Sequence, residues 1–105
     1  MQKWKHGMLF SVFSVTPHAY FYIVAEGNEA RALDTKGKFA GISDRIAAMD
    51  ALGAEGWIIS PNEIPTLSRL DTGWLFDFII SLAPTNAGKL YLEGRYFMRR
   101  PIDEK

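Results

Sequence analysis

Apolar residues enter the chain in two short runs. Met8 to Thr16 (MLFSVFSVT) and Tyr20 to Ala25 (YFYIVA) carry the Phe, Tyr, Val and Ile of strands, with a turn at Thr16-Pro17-His18-Ala19 between them. Both runs are apolar on both faces, which predicts strands at the centre of a sheet or covered at an interface. From Glu26 to Gly41 glycine, asparagine and charge take over, predicting a flexible loop over 26–41 with a short helical turn near Ala30 to Leu33. Ile42, Ile46, Met49 and Leu52 then recur at helical spacing. Ser43 suits the N-cap, Asp44 the first turn, and Gly53 a left-handed C-cap. Such a short helix must pack on a sheet to persist.

Trp57-Ile58-Ile59 restarts the extended pattern, and Pro61 and Pro65 bracket a loop running to Thr72. From Trp74 the chain alternates, with Trp74, Phe76, Phe78, Ile80 and Leu82 on one side and Asp77 and Ser81 on the other. After turn residues at Ala83 to Gly88, Leu90, Leu92, Tyr96 and Met98 share one face, and Tyr91, Glu93, Arg95, Phe97 and Arg99 the opposite one. These two runs predict a long antiparallel hairpin closed by Pro101, with Asp77 across from Arg95. The expected fold is α+β, an antiparallel sheet of about five strands with one main helix packed on one face. It forms a single domain over residues 1–105.

The helix exit, Met49 to Ser60 (MDALGAEGWIIS), resembles a family of small bacterial and phage domains of unknown function. Their signature runs Leu-Asn-x-Leu-Gly-x-Glu-Gly-Trp-Glu-Leu-Val and ends on a late strand with an aromatic residue before basic-basic-Pro. Leu52, Gly53, Glu55, Gly56 and Trp57 match the first part, and Phe97, Arg99, Arg100 and Pro101 the second. Ile58 and Ile59 depart from the usual Glu-Leu, and the N-terminal aromatic hairpin is extra. The resemblance implies a helix on an antiparallel sheet and no particular activity. Physically, Gly53 would stop the helix, Gly56 would let the backbone turn, and Trp57 would drop into the helix–sheet seam.

Charge adds a second layer. Twelve basic and twelve acidic residues among 105 cancel, which argues against a general nucleic-acid binder. The cancellation hides an asymmetry. Residues 42–77 hold six acids and two bases, whereas residues 89–100 hold four bases and one acid. Cysteine is absent, so disulfides and thiolate chemistry are excluded. No stretch has the length of a membrane span, and the basic, apolar N-terminus lacks a convincing cleavage site; the expectation is a cytoplasmic protein with no membrane partner.

Catalytic and metal patterns do not assemble. Asp71-Thr72-Gly73 spells the aspartic-protease triplet, but too little chain follows it, and a turn feeding a strand explains it better. Lys36-Gly37-Lys38 lacks P-loop spacing, and His6 and His18 have no carboxylate at ligand spacing. No cofactor or metal is expected. The distinctive set is Arg95, Arg99 and Arg100 with Tyr91 and Phe97, since guanidinium groups beside rings can hold an anion that carries a flat base. The apolar surface also exceeds what one helix covers, with Trp4, Phe13, Tyr20, Tyr22 and Tyr91 left for a second contact. The expectation is a non-enzymatic module acting through protein contacts as a homo-oligomer. The alternatives are capture of a small anionic ligand such as a nucleotide signal at a subunit interface, and an acid/base enzyme using Asp71 or Asp77.

Overall fold

The computed structural model describes residues 2–14, 19–33, 45–60, 64–84 and 89–102. Its elements are β1 (Lys3–Ser14), β2 (Ala19–Glu26), β3 (Glu29–Ala32), α1 (Arg45–Ala54), β4 (Ile58–Ile59), β5 (Ile64–Arg69), α2 (Gly73–Leu82) and β6 (Leu90–Ile102). All strand pairs are antiparallel. The order across the sheet is β3-β2-β1-β6-β4, and β5 lies along the same edge of β6 as β4. The fold is α+β, with six strands rather than about five. β1 and β2 are interior strands, which answers the apolar character of both their faces.

Strand alternation sorts the core into two layers. On one face Leu9, Tyr22, Val24, Tyr96 and Met98 pack with Ala48 and Leu52 of α1 and with Trp57. On the other, Val12, Phe21, Ile23 and Leu90 pack with Leu75 and Ile79 of α2. One helix therefore serves each face. The predicted strand at 74–82 is a helix: its apolar residues satisfy both periods, and the buried pair, Leu75 and Ile79, is spaced i, i+4. The expected 74–100 hairpin and its Asp77–Arg95 cross-strand pair are thereby lost. Asp77 lies exposed on α2.

Three other expectations change. Residues 29–32 form β3 instead of a loop or helical turn, pairing Ala32 with Ile23 and Glu29 with Glu26. Residues 64–69, read as loop, form β5 on β6. In α1 the buried stripe is Ala48 and Leu52, whereas Ile46 is 68% exposed. The Thr16–His18 turn, the Ser43 cap, Ile42, Lys36, Lys38 and residues 34–41 of the expected loop lie outside the described residues.

The exit of α1 depends on Gly56 rather than Gly53. Gly53 is helical, while Gly56 has φ +93°. The Gly56 N–H donates to the Gly53 carbonyl at 2.9 Å and the Trp57 N–H to the Leu52 carbonyl at 3.1 Å. These are the two bonds of a Schellman cap, with Trp57 packed in the same cluster as Leu52. No atom lies within 4 Å of a Cβ placed at either glycine, so only backbone conformation separates them. Gly56→Ala is expected to destabilise by about 1–2 kcal/mol. Gly53→Ala should stabilise by roughly 0.5–1 kcal/mol, both read from urea unfolding midpoints at constant slope.

Candidate functional site

α2 covers only part of its face. Phe10, Val12, Leu90 and Leu92 belong to its cluster, but Trp4, His6 and Met8 of β1, Phe97 and Arg99 of β6, and Ile58 of β4 do not. Register brings these six together. His6 and Ile58 flank Arg99 from either side, Met8 sits opposite Phe97, and Trp4 opposite Pro101. Directly opposed side chains lie about 5 Å apart at Cβ, so Arg99 stands at the middle of the patch.

A cavity of about 310 Å³ opens here, walled by His6, Ile58, Ser60, Phe97 and Arg99 and backed by Ile59 and Met98. That is near the lower end of small-molecule sites. Phe97 is 52% exposed and Ile58 53%. The Ser60 N–H donates to the Phe97 carbonyl at 2.8 Å, continuing the short β4 ladder and fixing this wall. The Arg99 guanidinium lies 4.2 Å from the Trp4 ring centroid. A guanidinium over a ring face retains N–H donors that can chelate an anion.

The cations of this sheet differ in their partners. On the α1 side, Lys5 pairs with Glu26 at 3.4 Å, and the Arg31 guanidinium donates to Glu55 at the end of α1. Among the described residues, neither Arg99 nor Arg95 has a carboxylate partner, and the buried Arg95 Nε–H has no acceptor.

The five residues singled out from the sequence divide. Phe97 and Arg99 meet at the cavity. Arg95 projects from the same face of β6, opposite Phe10 and Ile64, outside the cavity wall. Arg100 and Tyr91 are corrected to the α1 face. Arg100 lies over Trp57 at 4.8 Å, and Tyr91 stacks on Phe13 at 5.4 Å and 19°.

The displacement of Tyr91 has a local cause. Register steps from Ser11–Gly94 to Val12–Leu92, leaving Glu93 as the extra residue of a bulge. The Ser11 hydroxyl donates to Glu93 Oε1 at 3.0 Å. Every side chain before the bulge changes face relative to strict alternation. Leu90 and Leu92 therefore face α2, while Tyr96 and Met98 face α1.

No sequence pattern links Trp4, His6 and Ile58, because only register joins them. Ile58 did carry a signal, an apolar residue where the resembled signature has Glu. Tyr22, expected at the surface, is 2% exposed. Asp71 and Asp77 are exposed, and Asp71-Thr72-Gly73 leads into a helix rather than a strand.

Among the described residues no group of three or more His, Asp or Glu could hold a metal ion, and no helix is long and apolar enough to cross a membrane. No protein-family model, curated protein or solved structure matches the chain.

The two arginine–tryptophan contacts differ in what they support. Arg99→Ala removes an exposed cation–π contact and is expected to cost about 0.5–1 kcal/mol. Trp57→Ala removes a buried ring and should cost about 3–5 kcal/mol. Equilibrium urea unfolding of both variants measures the contrast, and the Arg99 variant remains folded for binding work.

Proposed function

We propose that this chain is a binding module that captures a small anionic ligand with a flat ring on the uncovered half of its α2 face. The observation that carries this reading is Arg99, held over Trp4 without an acidic partner among the described residues, beside a cavity walled by half-exposed Phe97 and Ile58. An unpaired guanidinium supplies charge-assisted hydrogen bonds to an anion, and the apolar walls supply stacking and burial for a ring. Nothing in this pairing of groups requires chemistry on the ligand.

The probe is 4-nitrophenyl phosphate, followed by amide NMR shifts. Binding should move residues 4–7, 57–60 and 96–100. Arg99→Ala should weaken it by about tenfold or more, the worth of a charged hydrogen bond. Arg100→Ala, on the other face, should leave affinity unchanged. Shifts centred elsewhere, or an unchanged affinity in Arg99→Ala, would contradict the proposal.

A second reading is self-association of two copies through the same patch, favoured by the exposure of Phe97 and Ile58 side by side. It predicts a dimer by light scattering that Phe97→Ser dissolves. A monomer throughout the micromolar range sets it aside.

A further inference from the structure

The cavity has two unlike ends, and their separation restricts what can fill it. Phe97 and Arg99 are alternate residues of β6 on one face, so their Cα atoms lie roughly 7 Å apart along the strand. The Arg99 head is carried away from Phe97, since its guanidinium lies over Trp4, the residue opposite Pro101. A ring on Phe97 and an anion on Arg99 are therefore separated by more than one strand repeat. Each end has a polar neighbour: His6 stands directly across from Arg99, and Ser60, whose N–H bonds the Phe97 carbonyl, lies beside Phe97. An anionic group bonded directly to a ring cannot reach both ends at once. A ring joined to its anion through a polar spacer can.

Resting on the anion-capture reading above, we infer that the ligand class is a nucleoside 5′-monophosphate, with the base on Phe97, the phosphate on Arg99 and the sugar bridging the strand repeat between them. One phosphate is assigned because Arg95, which also has no carboxylate partner among the described residues, does not line the cavity. The base is held mainly by stacking and apolar contact. The four bases are therefore accepted in order of ring size, purines ahead of pyrimidines.

The test is calorimetric titration of the protein with adenosine, guanosine, cytidine and uridine monophosphates. Adenosine, inorganic phosphate, 4-nitrophenyl phosphate and a five-nucleotide single-stranded RNA serve as comparisons. Adenosine monophosphate should bind about tenfold or more tighter than adenosine, phosphate or 4-nitrophenyl phosphate. Arg99→Ala should abolish the advantage over adenosine, and Phe97→Ala the advantage over phosphate.

Equal affinity for 4-nitrophenyl phosphate and adenosine monophosphate would overturn the ring–spacer–anion assignment and leave the anion site standing. Adenosine monophosphate affinity unaltered in both variants would overturn the inferred placement. Tighter binding of the RNA by tenfold or more would replace a mononucleotide with a single strand. No binding of any probe would remove both this inference and the reading beneath it.

Discussion

The Trp57 indole lies in a slot that exists because residue 7 has no side chain. A Cβ built on Gly7 would stand 3.1 Å from Trp57 Cη2, 3.1 Å from Met98 Cε and 3.0 Å from the Ala25 carbonyl oxygen. Three elements therefore converge on one glycine of the central strand. The arrangement carries a cost, since the buried Trp57 Nε1–H has no acceptor among the described residues, worth about 1–3 kcal/mol. Packing against Leu9, Leu52, Tyr96 and Met98, together with the Arg100 guanidinium over the ring, has to outweigh it. From this anchor the local geometry follows. The Schellman cap delivers Trp57 from α1 to the sheet, and the next residue, Ile58, enters β4 opposite Arg99, where it becomes a wall of the cavity.

The second organising fact is the division of labour between the two helices. α1 and α2 pack on opposite faces, so the aromatic surplus that suggested another subunit is largely absorbed within the chain. α2 stops short of the Trp4–Phe97–Arg99 end of its face, and that end holds the half-exposed Phe97 ring and a guanidinium with no carboxylate partner among the described residues. The bulge at Glu93 sharpens the separation. By turning Leu90 and Leu92 toward α2 and Tyr91 toward Phe13, it places the apolar half of β6 under the helix and leaves Phe97 and Arg99 beyond it.

Much of this was legible in the sequence where one residue pattern admits one element. The first two strands, the short helix, the return at Trp57 and the final strand all declare themselves by period and composition. The α+β class follows from them. Segment 73–82 misled because GWLFDFIISL is apolar at almost every position, and such a run fits strand and helix periods alike. The choice was made by tertiary packing of Leu75 and Ile79. Tyr91 and Arg100 misled for a different reason: a one-residue bulge and strand parity are properties of pairing, and a single chain read in isolation does not display its partner. Phe97 and Arg99 share one face, as alternation predicts, because both lie on the same side of the bulge. His6 could be placed beside Arg99 only once the β1–β6 register was known.

The close approach at Gly7 is tested most directly by a double-mutant cycle on Gly7→Ala and Trp57→Leu, measured by equilibrium urea unfolding. Gly7→Ala alone should destabilise by about 1–3 kcal/mol through overpacking. In the Trp57→Leu background the Cη2 contact is gone, and the same change should cost less by about 1 kcal/mol or more, a coupling typical of residues in contact. Strictly additive losses would contradict the account, because they would mean that the indole does not occupy the space that glycine leaves.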